Sequence, residues 1–272
     1  MIHFKHTSLK AIVVILTITG IVIFYGCDNP ITGDGPQPDF IEESTFIPKL
    51  NVFGVLRPDM KDGEPRSFIH LERSGSPGNY SDVYDVTDAE VMVYAYSGNT
   101  IADSLEFMYT DLDSAVFSSE YRNRAFFPQT GEKFDISCYK EGFPRLTATT
   151  IIPDIPKIVN DRIDVSPAGI SFYIERDTSA VLYDVELQIG KIIFTTQVKK
   201  PETGNIFVEF EISNIWAAQG FLTIYAYDLN LSEYMTYNLT IKPNTYQPPF
   251  STVEGGYGCF GSLNILTRIV QF

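Results

Sequence analysis

Apolar and polar residues alternate with a period of two along most of this chain. Leu50-Asn51-Val52-Phe53-Gly54-Val55-Leu56 opens the pattern, and the turn-forming cluster Arg57-Pro58-Asp59-Met60-Lys61-Asp62-Gly63 closes it. Residues 67–73 read as the return strand. Residues 89–96 alternate strictly and stop at Ser97-Gly98-Asn99. Further strands are predicted around 104–109, 133–139 and 145–152. Pro153-Asp154-Ile155-Pro156 is the best internal boundary, because two prolines remove two backbone donors and hold the residues before them extended. Beyond it the alternation restarts at 169–175, 180–188, 191–198, 205–212, 221–227 and 233–241, with hairpin turns at Gly190 and 200–204. One helical turn fits 213–219 around Trp216. Residues 252–261 read as a glycine-rich loop, expected to fold back against the second sandwich, before a last strand near 264–271. No stretch carries three turns of amphipathic helical period. The pattern predicts an all-β chain of two consecutive β-sandwiches, residues 48–153 and 154–272.

One stretch breaks the alternation. Residues 11–25 are nearly all apolar, follow a segment with Lys5 and Lys10 and no acid, and end at Gly26-Cys27 before Asp28-Asn29-Pro30. A positive start, a short apolar run and a small residue at the break describe a secretory signal peptide over residues 1–26. A membrane-spanning helix would need about 20 apolar residues. A small residue followed by Cys at the end of such a run resembles the lipobox of bacterial lipoproteins, with Phe24 where Leu is usual. The resemblance implies that the Cys27 thiol takes a diacylglyceryl group and becomes the first residue of the mature chain. Residues 27–47, rich in Pro, Gly and Asp, read as a tether.

The formal charge is −14, and loss of Lys5 and Lys10 with the leader makes the remainder more acidic. Such a body repels phosphate backbones, which argues against a nucleic-acid partner. Beyond Cys27 two cysteines remain, Cys138 and Cys259. An exported compartment permits a disulfide between them, and packing as two small hydrophobes is the alternative.

Catalytic chemistry is sparse. His70 is the one histidine beyond the leader and is expected half-exposed, alternating with Phe68 and Glu72. That nearly excludes histidine triads and multi-histidine zinc sites. There is no Gly-x-Ser-x-Gly elbow and no phosphate-cradling loop. Asp82, Asp85 and Asp88 recur every three residues, with Asp103, Asp111 and Asp113 nearby. Loop carboxylates of this kind can hold Ca²⁺, although solvated acids are the commoner outcome. No catalytic residue, cofactor or metal ligand is therefore assigned. Tyrosines are in excess: Tyr80, Tyr84, Tyr94, Tyr96, Tyr109 and Tyr121, then Tyr225, Tyr227, Tyr234 and Tyr237. Most alternate within strands and are expected to pack across them. Tyr80, Tyr84, Tyr246 and Tyr257, in loops, are the better candidates for contacting a sugar or a partner.

The lipobox-like start, Asn51-Val52-Phe53-Gly54-Val55-Leu56, Val86-Thr87-Asp88-Ala89-Glu90-Val91-Met92-Val93, Gly131-Glu132-Lys133-Phe134, Thr147-Ala148-Thr149-Thr150-Ile151-Ile152-Pro153 and the terminal Pro248-Pro249-Phe250 with Glu254-Gly255-Gly256-Tyr257-Gly258-Cys259-Phe260-Gly261 occur in that order. Together they resemble an uncharacterised family of outer-membrane lipoproteins, whose domain is one of unknown function and whose members are often encoded beside TonB-dependent receptors. The chain departs from it in the Tyr and Cys of the terminal glycine motif and in a short second half. Asp88-Ala89-x-Val91-x-Val93 also resembles the strand opening of a transthyretin-like or carboxypeptidase-regulatory sandwich, while the second sandwich is expected to be fibronectin- or immunoglobulin-like. The resemblance implies a non-enzymatic, lipid-anchored accessory or binding protein of the outer membrane, partnering a TonB-dependent receptor in nutrient uptake. A carbohydrate-binding or adhesion module is the alternative, and the side of the membrane it faces stays open.

Overall fold

The computed structural model describes residues 47–74, 84–111, 119–212, 218–237 and 251–272. All of them belong to one compact unit, 42–239 with 248–272. The leader, Cys27, the tether to residue 46 and the turn expected around Trp216 lie outside the described residues.

The first strands are β1 (Leu50–Leu56), β2 (Met60–Lys61), β3 (Glu64–Pro65), β4 (Phe68–Arg73), β5 (Glu90–Ser97), β6 (Thr100–Glu106), β7 (Met108–Asp111) and β8 (Ser119–Arg122). Next come β9 (Lys133–Tyr139), β10 (Leu146–Ile151), β11 (Ile158–Ser166), β12 (Gly169–Ile174), β13 (Leu182–Ile189) and β14 (Ile192–Lys199). β15 (Ile206–Glu211), β16 (Gln219–Tyr227), a helix α1 (Leu229–Thr236) and β17 (Tyr257–Gln271) follow. Among the described residues the structure is all-β apart from that helix.

One eight-stranded sheet runs β14-β13-β16-β17-β1-β4-β8-β7. A four-stranded sheet, β10-β9-β5-β6, packs on its β1-β4-β8 end, and a three-stranded sheet, β11-β12-β15, packs on its β13-β16 end. The alternation in sequence explains the layers. Val91 and Val93 on β5 and Phe134 and Ile136 on β9 turn inward against Val52, Ile69 and Leu71. Ile170 and Phe172 on β12 do the same against Val185, Leu187, Leu222 and Ile224.

The two sandwiches expected as 48–153 and 154–272 share β17. Its first residues pair in parallel with β1 (Asn51↔Tyr257 to Leu56↔Ser262), and the rest pairs antiparallel with β16 (Gln219↔Gln271 to Tyr227↔Leu263). Phe260 enters the first core and Val270 the second. Between those apolar cores β17 carries two buried polar residues, Ser262 and Asn264. Asn264 Nδ2 donates to Pro153 O at 2.9 Å and Ser262 Oγ to Ile151 O at 2.8 Å, so β17 ties down the proline-containing crossover.

Several expectations are corrected. The segment 233–241 is not a strand where it is described: α1 ends at Thr236, with Asp228 as its N-cap accepting from Leu231 N at 2.8 Å. The span 104–109 is split at the buried Phe107 into β6 and β7, which lie in different sheets. Half of the predicted glycine-rich loop is strand, and it pairs with the first sandwich rather than folding against the second. Glycine is required there because Gly258 has φ +101° and a Cβ would overlap Val52 O. His70 is 5% exposed, not half-exposed.

Candidate functional site

The outward face of β10-β9-β5-β6 is built by register. Tyr94 on β5 is opposite Asp135 on β9, and Asp135 is opposite Thr149 on β10. The next row pairs Met92, Ser137 and Thr147. Because side chains alternate across a strand, these residues point away from the core that Val91, Val93 and Ile136 fill. Segment 252–254, bridged to Thr147 through Glu254, and Asn230 at the start of α1 wall one side. Asn230 Nδ2 donates to Thr149 O at 2.8 Å and to Phe260 O at 2.9 Å, which fixes that wall. The result is a depression of about 540 Å³ lined by Tyr94, Tyr96, Asp135, Ser137, Thr147 and Thr149 among others.

Its chemistry is a carboxylate ringed by hydroxyls beside two aromatic rings. Tyr96 OH donates to Asp135 Oδ2 at 2.7 Å and Thr149 Oγ1 to Asp135 Oδ1 at 2.7 Å. Each oxygen keeps a lone pair for a further donor. The bond to Asp135 holds the Tyr96 hydroxyl protonated, raising its pKa. Lys133 Nζ lies 4.7 Å from the Tyr96 ring centre and Arg145 is 4.9 Å from that of Tyr139. Arg145 Nη1 also donates to Ser137 Oγ at 2.7 Å. Among the described residues no other aromatic ring stacks on Tyr94. A larger depression of about 750 Å³ lies between β6 and the β7–β8 hairpin, but its cations are committed, Arg122 to Glu120 and Arg124 to Glu64.

A second cluster lies on the outward side of β4. His70 Nε2 is 3.1 Å from Glu72 Oε1 and 3.9 Å from Asp85 Oδ1. Residues 84–86 run beside β4 through Arg73 N to Tyr84 O at 2.7 Å and Val86 N to Leu71 O at 2.9 Å. Tyr121 pins them: its hydroxyl donates to Val86 O at 2.7 Å and accepts from Ala89 N at 2.9 Å. Burial pushes its pKa up to about 12.

A third polar group is internal. Thr150 Oγ1 lies 2.6 Å from Asp228 Oδ2 and 2.8 Å from Ser262 Oγ. With the Ser262 proton on Ile151 O, one threonine proton serves only one of these two contacts, so the chain closes fully when Asp228 is protonated. Burial raises the Asp228 pKa to about 6 despite the donors around it.

The sequence-predicted candidates scatter. Cys27, Tyr80, Asp82, Asp113 and Tyr246 lie outside the described residues. Among the described aspartates, Asp88 pairs with Lys140, Asp103 Oδ1 accepts from Ser104 N, and Asp85 lies beside His70 and Glu72. Tyr257 lies under Lys49, and Tyr227 and Tyr225 bond to Asp184 and Glu186. Strand tyrosines rather than loop tyrosines line the cleft. Cys138 and Cys259 are free, buried thiols.

No family model matches the chain, and no curated protein matches it. Among solved structures, the FN1–FN3 domains of chicken CNTN1 are 11% identical, with a TM-score of 0.27, over 82% of this chain and 64% of that one. The chain thus spans under two thirds of that structure. The chicken interferon gamma receptor alpha chain is 9% identical, with a TM-score of 0.23, over 66% of this chain and 90% of that one.

Proposed function

We propose that this chain is a lipid-anchored, non-enzymatic binding protein of the outer membrane, acting as an accessory to a TonB-dependent receptor. The observation that carries the binding role is the cleft over Tyr94, Tyr96 and Asp135. It combines ring faces with a carboxylate and hydroxyls that converge on one concavity, the usual make-up of a small-ligand site. The anchor rests on Gly26-Cys27 after the apolar run, with a tether before β1. Burial of lipid chains contributes about 0.8 kcal/mol per CH₂, so several chains hold a protein on a bilayer. Labelling cells with a palmitate analogue tests the anchor: the wild type is marked and Cys27→Ala is not. Equal labelling refutes Cys27 as the site. Co-purification with the TonB-dependent receptor encoded nearest to it tests the partner.

A carbohydrate ligand is the second reading, favoured by the half-exposed Tyr94 ring beside Asp135, Ser137, Thr147 and Thr149. A ring face carries partial negative charge and accepts the C–H face of a pyranose, while the hydroxyls and carboxylate exchange hydrogen bonds with its OH groups. A chain of charge −14 favours a neutral sugar over an acidic one. A glycan array blank for the wild type removes this reading.

A further inference from the structure

We propose that His70, Glu72 and Asp85 bind one divalent transition-metal ion of the zinc class. The three donor atoms, one from each side chain, all lie within 4.8 Å of one another. Tetrahedral zinc with bonds of about 2.0–2.2 Å separates its ligand atoms by roughly 3.3–3.5 Å. The observed 3.1 and 3.9 Å from His70 Nε2 bracket that spacing, and side-chain rotation has to bring the two carboxylates, now within 4.8 Å of each other, to it.

The backbone sets the arrangement in advance. His70 and Glu72 are two apart on β4 and share its outward face, while Ile69 and Leu71 go to the core. Asp85 is bridged antiparallel to Glu72, which brings its carboxylate to the same face. Val86 N on Leu71 O and Tyr121 OH on Val86 O hold that partner segment. Asn51 Nδ2 lies 3.4 Å from Glu72 Oε2, so the second carboxylate oxygen has an orienting neighbour, as outer-shell groups provide in metal sites.

Charge favours a cation here. Two carboxylates converge on the imidazole of His70, whose side chain is 7% exposed. His70 Nε2 is 3.1 Å from Glu72 Oε1 and 3.9 Å from Asp85 Oδ1, so a cation in place of its proton reaches both carboxylates. A divalent ion at their centre engages all three groups. The imidazole selects the class, since Ca²⁺ and Mg²⁺ take oxygen ligands while nitrogen with carboxylate suits zinc and its neighbours. Three protein ligands leave one position for water or a partner's side chain.

The test is equilibrium dialysis of the full chain against ZnCl₂. One ion per chain is expected, undisplaced by equimolar Ca²⁺. His3 and His6 are the other imidazoles, so the comparison with His70→Gln carries the assignment. Loss of at least ~10-fold in affinity in His70→Gln and in Asp85→Asn, with unchanged circular dichroism, supports the site, because even outer-shell changes cost about that much. Equal uptake by the wild type and His70→Gln overturns it. Should the variants fail to fold, the wild type loaded with Co²⁺ decides. Ligand-field bands of a low-coordinate site support the proposal, and the spectrum of the aquo ion overturns it.

Discussion

Thr150 Oγ1 and Asp228 Oδ2, seventy-eight residues apart in the chain, lie 2.6 Å from each other in the buried seam between the two cores. The carboxyl is 5% exposed, and its desolvation lifts its pKa from 3.8 to about 6. The folded state therefore binds the proton more tightly than the unfolded one. Stability contributed by this group is full below about pH 4, falls as pH rises through the folded value near 6, and is flat above it. The loss is at most about 3 kcal/mol, from a shift of roughly two units. Asp228→Asn keeps the N-cap and supplies an amide donor for Thr150. It should flatten denaturant midpoints between pH 4 and 7 and raise stability at pH 8. An unchanged slope would contradict the proton count.

Gly258→Ala should destabilise the protein by about 2–5 kcal/mol, combining strain at φ +101° with displacement of Val52. Urea unfolding reads it. A loss below ~0.5 kcal/mol would mean that the β1–β17 pairing is looser than its register states.

Tyr121→Phe removes the hydroxyl that joins Val86 O and Ala89 N inside the first sandwich. A buried carbonyl and a part-buried N–H lose this partner, a cost of about 1–3 kcal/mol. The ring still packs, so the fold should persist with a lower melting temperature. A variant as stable as the wild type would show that neither bond matters.

Both thiols should be silent toward iodoacetamide in the native protein and react together on unfolding. Burial pushes Cys138 far above the ordinary thiol range and Cys259 up to about 12, so neither supplies thiolate. Native modification of either, read by mass spectrometry, would contradict this burial.

Tyr94→Ala and Asp135→Asn should abolish retention of a glycan-array hit while moving the melting temperature little, since both side chains face solvent on the sheet. Retention unchanged in both would move binding away from the cleft.

Strands with unbroken alternation were legible: Leu50–Leu56 and Lys133–Tyr139 match residue for residue. β11 was not, because Asn160 and Asp161 sit at positive φ and shift the register between Ile158 and Ile163. β8 escaped because one of its buried positions holds Glu120, whose charge Arg122 meets. α1 reads as strand from its Tyr and Thr residues; only Asp228, as a cap, signals otherwise. The glycines of 255–261 look like a loop because their purpose, close approach to β1 and Arg145, belongs to tertiary structure. The cleft was hidden for the same reason. Tyr94, Asp135 and Thr149 are ordinary strand residues until two strand registers, β5 with β9 and β9 with β10, set them in one row.

The shared strand has a consequence for how the polypeptide comes into being. Residues 257–271 sit between β16 and β1, so the long sheet has a gap at its middle until they arrive. Emerging from a ribosome in order, residues 50–56 wait some two hundred positions for their parallel neighbour, a high-contact-order closure that is intrinsically slow. Until then the long sheet stays open at its middle, and the arrival of one strand joins both halves in a single late step.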